Sequence, residues 1–257
     1  MLRSLRYAEA DRILHLYTAD RGRVGAIAKG VRRTKSRFGG RLEPLGHVEV
    51  LLHHGSGELH TVTGAELIRP HRASREDPYR LAVGLIGAEA MLRLFTEQEA
   101  NERAFGALTR FLDLLDQAPP GAPQAPRSSS RASPASPATL PASGPRPELD
   151  ALGLSFQLKL LWLSGYLPHL GSCAECGSTD PPAGYSARAG GIVCRACSAG
   201  ALALSAEGLS GMDALLHSPL ADAGASGLTP RGARDVLAVI TSSYEEHGGF
   251  RLRTLSA

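Results

Sequence analysis

No stretch of the 257-residue sequence approaches the ~18 consecutive apolar side chains that a membrane-spanning helix needs, so such a helix is excluded. The N-terminus, MLRSLRYAEADR, lacks the long apolar core of a signal peptide. A cytoplasmic protein is the default reading. Catalytic signatures are missing too. There is no G-x4-G-K-[ST] or G-x-G-x-x-G loop to cradle phosphates, and no G-x-S-x-G or H-E-x-x-H. No H-x-E partner accompanies the cysteines, which argues against a zinc deaminase. Internal repeats are absent. A binding protein fits these absences better than an enzyme.

Apolar residues make up 43% of the chain, enough for a sizeable core. Ala118 to Pro147 interrupts it. Of those 30 residues nine are Pro, seven Ala, six Ser and two Gly, and Leu140 is the one apolar side chain larger than Ala. Such a stretch cannot bury enough surface to offset its ordering entropy, so 118–147 is expected to be a disordered linker.

The first ~75 residues read as strands. Ile13–Thr18, a turn at Asp20–Gly22, and Arg23–Ala28 form one hairpin. His47–Leu52, Gly55–Gly57 and Glu58–Thr63 form a second. Residues 31–45 read as a loop. Short strands with tight turns suggest a small antiparallel barrel or sandwich. From Asp77-Pro78 onward the apolar period becomes helical. Leu81, Leu85, Ala88, Met91, Leu92 and Phe95 mark a helix over about 79–96, and Phe105, Leu108, Phe111, Leu112 and Leu115 one over about 100–116. Leu152 to Tyr166, Leu209 to Leu216 and Pro230 to Tyr244 supply three more, the last with Thr229 as N-cap and Pro230 at N1. Helices on both sides of the cysteine segment are expected to pack into one bundle.

Cys173-Ala-Glu-Cys176 and Cys194-Arg-Ala-Cys197, 17 residues apart, form a C-x2-C, C-x2-C pattern typical of zinc sites. Four thiolates would close a tetrahedron around one structural Zn2+ and leave no open position. Two disulfides or four free thiols are the alternatives. His169, four residues before Cys173, reads as a bystander, and His53-His54 as surface.

Between Arg21 and Arg41 lie eight basic residues and no acidic one: Arg21, Arg23, Lys29, Arg32, Arg33, Lys35, Arg37 and Arg41. Residues 1–77 carry 14 Lys and Arg against 9 Asp and Glu, a net of +5; the rest of the chain carries 14 against 16, a net of −2. The whole-chain charge of +3 hides this split. A solvated arginine-rich loop would explain the cluster. A phosphate-binding patch explains it better, since clustered cations release counterions from nucleic acid. Phe38, inside the stretch, would either stack on a base or anchor the loop in the core.

Taken together, Arg6-Tyr7-Ala8-Glu9-Ala10-Asp11-Arg12-Ile13, Thr18, Gly22, Ala28-Lys29-Gly30-Val31-Arg32-Arg33, Arg41-Leu42-Glu43-Pro44 and Leu59-His60-Thr61-Val62 resemble the bacterial RecO family of DNA repair proteins. Phe156-Gln157-Leu158-Lys159-Leu160-Leu161, Gly165-Tyr166-Leu167-Pro168 and Cys173-Ala174-Glu175-Cys176-Gly177 are similar to that family's central helix and zinc module. The resemblance implies an α+β multidomain fold: an OB-fold β-barrel (1–77), a helical domain (78–117, 148–170 and 201–257) split by the linker, and an inserted four-cysteine zinc ribbon-like module (171–200). It also implies binding to single- and double-stranded DNA, strand annealing, and loading of RecA with RecR, and in many bacteria RecF, on DNA coated by single-stranded DNA-binding protein. The tail of that protein would bind the helical domain. A cytoplasmic, nucleoid-associated, non-enzymatic protein follows from it. By motif match, Lys29, Arg32, Arg33, Lys35 and Arg37 correspond to the family's basic loop. Two departures stand out. The chain begins at Met1-Leu2, which implies a short or missing first strand and is compatible with an internal start codon. The 118–147 insertion is longer than the usual connection. A zinc-ribbon adaptor without DNA activity and an RNA-binding barrel are the competing functions.

Overall fold

A computed structural model describes residues 1–54, 57–97, 99–118 and 146–255. The expected disordered linker lies outside the described residues except at its edges. There Pro147 opens a 3₁₀ turn, Pro147–Leu149, because its fixed φ suits the first position of a turn. Pro147, expected within the linker, thus belongs to a turn. The tip of the second hairpin, at Gly55 and Ser56, also lies outside them.

The N-terminal part is a five-stranded sheet: β1 (Arg3–Tyr7), β2 (Asp11–Thr18), β3 (Gly22–Ala28), β4 (His47–His53) and β5 (His60–Arg69). Its strand order is β1-β2-β3-β5-β4. The pairs are antiparallel except β3 with β5, which is parallel through Ala26↔His60 and Ile27↔Thr61. The sheet is not closed into the expected barrel. β1 and β4 are its edges, and no ladder joins them. The chain start meets the segment entering β4: Leu45 N–H donates to Met1 O, and Met1 N to Gly46 O at 2.7 Å. β1 is present, with five residues.

Alternation dictates what each strand buries. Along β3 the buried positions are Gly22, Val24, Ala26 and Ala28, with partly exposed residues between them. With Leu14, Leu16, Val62, Phe38 and Leu42, Ala26 and Ala28 form a compact core on one face. The other face meets the helices at Tyr17, whose ring packs edge-on against Phe95 at 5.6 Å. Gly22 is required at the β2–β3 turn. Its φ is +62°, and a Cβ there would lie 2.0 Å from the Glu99 carbonyl oxygen.

The helical part comprises α1 (Arg72–Glu76), α2 (Pro78–Leu94), α3 (Glu102–Gln117), α4 (Ala151–Leu163), α5 (Ala206–His217) and α6 (Pro230–Gly248). Polar caps start most of them: Asp77, Asn101, Asp150, Ser205 and Thr229 each accept from a backbone N–H in the first turn. Helices from both sides of the cysteine segment share one core, including Met91, Phe111, Phe156, Leu158, Met212, Val239 and Tyr244. Phe111 and Phe156 stack with centroids 4.2 Å apart. The buried residues of α2 are Arg80, Val83, Gly84, Ile86, Gly87, Ala88, Ala90 and Met91. Leu81, Leu85 and Leu92, expected on the core face, are only partly buried. α2 is apolar nearly all round, so its periodicity does not fix which face points inward. Among the described residues, no helix is long and apolar enough to cross a membrane.

Candidate nucleic-acid interface and metal centre

The segment after β3 folds as successive tight turns. Arg33 N–H donates to Gly30 O, Ser36 to Arg33, Gly39 to Ser36, Arg41 to Phe38, and Gly46 to Glu43. Apolar residues recur at the intervals that turn them inward. Phe38, Leu42 and Leu45 are each 1% exposed. Phe38 is therefore the anchor of the loop, and its ring is closed to a stacking base. The Asp11 carboxylate accepts from Gly30 N–H at 2.7 Å and fixes where the loop begins.

Anchored this way, the loop turns its cations outward. Lys29, Arg32, Arg33, Lys35, Arg37 and Arg41 are all exposed. Several guanidiniums brace the loop itself. Arg32 donates to Glu9 O at 2.9 Å, Arg37 to Val62 O at 3.3 Å while lying 4.8 Å over the Phe38 ring, and Arg41 to Arg37 O and Phe38 O. None of these six side chains pairs with a carboxylate among the described residues. Lys29, Arg33 and Lys35 make no side-chain bond there at all. Among the described residues their charge has no partner.

Arg21 and Arg23 stand apart. Arg21 lies 3.6 Å from its neighbour Asp20 in the β2–β3 turn. Arg23 reaches to the helices, donating to Leu92 O at 2.6 Å and pairing with Glu97 at 3.2 Å. It clamps the sheet to the C-terminal end of α2. The sequence gives no local sign of this, because its partners are about seventy residues away.

The cysteines converge. Their four sulfurs lie within 4.8 Å of one another and could hold a metal ion. All are free thiols, so no disulfide joins them. Cys176 Sγ and Cys194 Sγ are 3.8 Å apart, the edge of a tetrahedron with metal–sulfur bonds of about 2.3 Å, whose edge is roughly 3.8 Å. The donor set and its spacing therefore fit Zn2+. Local folding explains the convergence. Gly177, at φ +74°, closes the first knuckle, and its N–H donates to Cys173 O at 2.8 Å. The second knuckle is the 3₁₀ turn Arg195–Cys197. Between them β6 (Pro182–Ser186) and β7 (Gly191–Cys194) form a hairpin, and β8 (Leu202–Ala203) joins β6 on its far side. The backbone N–H groups of Cys194 and Cys176 pull the Cys173 thiol down to about 6, which favours the thiolate a metal needs. Hydrogen bonding with the Cys176 and Cys194 thiols pushes Cys197 up to about 12 in the metal-free cluster. His169 bonds Ser172 Oγ at 2.9 Å and does not belong to the ligand group. Tyr185 of β6 roots this module in the helical core: its hydroxyl meets Ser243 Oγ at 2.7 Å, both side chains being buried.

Comparison with known proteins bears on the whole chain. Residues 1–71 match the family described as "Recombination protein O N terminal", and residues 139–256 the one described as "Recombination protein O C terminal". The "DNA repair protein RecO" of Rubrobacter xylanophilus is 39% identical over 201 residues, covering 77% of this chain and 68% of that protein. The protein of the same description from Anaeromyxobacter sp. strain K is 31% identical over 258 residues, covering 98% and 91%. The one from Streptomyces avermitilis is 33% identical over 264 residues, covering 99% and 94%. With both halves matched and relatives of similar length aligned almost end to end, the chain belongs to the RecO family of DNA repair proteins.

Proposed function

We propose that this protein binds DNA through the loop after β3, brings complementary single strands together, and helps load RecA with RecR during repair. The observation that carries the reading is the set of exposed cations, without carboxylate partners among the described residues, on a loop pinned from beneath by Phe38 and Leu42. Lys29, Arg32, Arg33, Lys35, Arg37 and Arg41 are the phosphate contacts in this reading. Arg21 sits at the margin, and Arg23 serves the seam between sheet and helices. Neutralising two backbones on one surface lowers their repulsion and lets bases sample pairing. No covalent bond changes, so no catalytic residue is assigned. The five strands act as an OB-type scaffold left open between β1 and β4. Cys173, Cys176, Cys194 and Cys197 hold one Zn2+, which ties two knuckles into a rigid element and supplies folding energy rather than reactivity.

The test is annealing of complementary oligonucleotides by the full chain. Replacing Arg32, Arg33, Lys35 and Arg37 by Ala should slow annealing severely while the circular dichroism spectrum stays unchanged. Undiminished annealing would move the site elsewhere. Equal competition by RNA of the same sequence would favour an RNA-binding protein, and a wild-type chain that does not anneal would favour an adaptor.

A further inference from the structure

A second group of cations lies where the sheet, α2 and the C-terminal tail meet. A cavity of about 230 Å³ there is lined by Leu2, Leu85 and Leu92 together with Arg3, Arg93, Arg253 and Glu89. That is below the ~300–1,000 Å³ of pockets for drug-sized ligands. The three arginines come from three distant segments: the first residue of β1, the last turn of α2, and the 3₁₀ turn Arg253–Leu255. All three are exposed, and none lies within ion-pair distance of a carboxylate among the described residues. Arg93 lies 5.9 Å over the Phe250 ring.

Glu89, the one acid in the cavity wall, is already engaged. Its two oxygens accept from the backbone N–H groups of Arg253 at 3.0 Å and Thr254 at 2.9 Å. Those bonds draw the tail, and with it Arg253, to the cavity. The fold thus gathers three arginines along one small hollow that holds a single carboxylate, whose oxygens serve the backbone of the tail. Three cations against the one Glu89 carboxylate, which Arg93 already helps to keep ionised, leave a local excess of positive charge that a further anion would offset. Planar guanidiniums match the oxygens of a phosphate group.

We infer that the cavity walled by Arg3, Arg93 and Arg253 is a second phosphate-binding site, taking a backbone phosphate of a nucleic-acid strand at a point separate from the loop after β3. The inference rests on the DNA-binding reading above. Arg3 pairs with His15 on β2, whereas the loop leaves β3 beyond Ala28, opposite Arg12. The loop docks on the β1–β2 turn, where Arg32 N–H donates to Ala10 O, whereas Arg3 opens β1 four residues before its end at Tyr7, about 14 Å along the strand. The two sets of cations therefore sit toward opposite ends of β1. The other lining side chains include Leu2, Leu85 and Leu92, which can meet a sugar but offer a base edge no hydrogen bond, so the site holds a strand without reading its sequence. Two separated phosphate sites suit a protein that keeps two strands, or two stretches of one, on a single body.

The experiment measures binding of labelled oligo-dT to the full chain across a salt series. The three-site variant Arg3→Gln, Arg93→Gln, Arg253→Gln is compared with the loop variant Lys29→Gln, Arg33→Gln, Lys35→Gln. Removing one cation that neutralises a phosphate lowers the slope of log affinity against log salt by about 0.7. The arginine variant should fall by at least one such step, and combining the sets should add their reductions. Arg3→Lys, Arg93→Lys, Arg253→Lys should keep the slope, which separates charge from folding damage at the Phe250 ring. If the Gln arginine variant keeps the wild-type slope while the loop variant's slope falls, this site is refuted and the proposed function stands. If neither slope falls, both readings fail. Calorimetry with inorganic phosphate distinguishes the source: binding abolished in the Gln arginine variant, with the DNA slope unchanged, would mean a site for free phosphate and overturn the strand assignment.

Discussion

Phe38→Leu separates the two roles open to an aromatic ring inside a basic loop. In the structure the ring is 1% exposed and packed with Leu14, Leu16, Ala26 and Leu42. Leu keeps an apolar plug in that site but removes a few buried carbons. At about 0.8 kcal/mol per buried CH2-sized group, the expected cost is about 1–2 kcal/mol of stability. In a chain this size that lowers the thermal midpoint by roughly 2–8 °C. The exposed cations proposed to hold phosphate are untouched, so affinity for single-stranded DNA well below the melting temperature should change by less than about twofold, since no stacked base, at ~1–3 kcal/mol each, is given up. Differential scanning fluorimetry and fluorescence anisotropy on the same preparations read both numbers. If Phe38 stacked on a base, affinity would instead fall by about five- to 150-fold, from that same ~1–3 kcal/mol per base. An affinity loss of that size with little change in melting would refute the anchoring role.

Three further outcomes follow from the same geometry. Metal analysis of reduced protein should find one Zn2+ per chain, and Cys176→Ser or a chelator should lower both zinc content and melting temperature; less than about half an equivalent in the wild type would count against a four-thiolate site, which takes one ion. Gly22→Ala should cost about 1–3 kcal/mol in urea unfolding, because it combines a left-handed φ with a Cβ forced against Glu99 O; an unchanged midpoint would show that the turn relaxes freely. Burial works to raise the Glu89 carboxyl, but the N–H groups of Arg253 and Thr254 outweigh it and hold the group below its ordinary value of 4.5. A depressed folded value gives stability that is complete above 4.5 and lost as pH falls through the lower folded value. Glu89→Gln should therefore flatten the acid side of the stability curve below pH 4.5, and an unchanged curve would remove Glu89 as the tail's clamp.

What the sequence revealed was local. Both N-terminal hairpins follow from alternating runs broken by Asp, Gly and Ser, and the Thr229–Pro230 start of α6 from capping chemistry: Thr229 Oγ1 accepts from Gly232 N–H at 3.0 Å. The cysteine spacing led to a cluster the fold does bring together. The basic stretch was visible as charge, but not the way its turns divide it into an exposed rim and a buried anchor. Whatever depends on distant partners stayed hidden. α1 is five residues long, too short for a period to register. His71, the residue before it, is 3% exposed and bonds both Leu45 O at 2.8 Å and Asp113 at 2.9 Å, joining loop, sheet end and α3. Arg23 belongs by sequence to the basic run and by its bonds to α2. The arginine cavity draws on residues 3, 93 and 253, a conjunction only the folded chain creates. Closure of the sheet also escaped the pattern, since alternation shows which residues pair inward but not whether β1 meets β4.

The central claim is that the exposed cations on the loop after β3, which have no carboxylate partner among the described residues, hold DNA by its phosphates. The salt dependence of oligo-dT binding for Lys29→Ala, Arg33→Ala, Lys35→Ala against wild type tests it most directly. Three phosphates no longer neutralised, at about 0.7 each, should reduce the log–log slope by about 2, so between 50 and 200 mM salt the wild type should lose roughly 18-fold more affinity than the variant. Parallel salt curves for the two proteins would contradict the account.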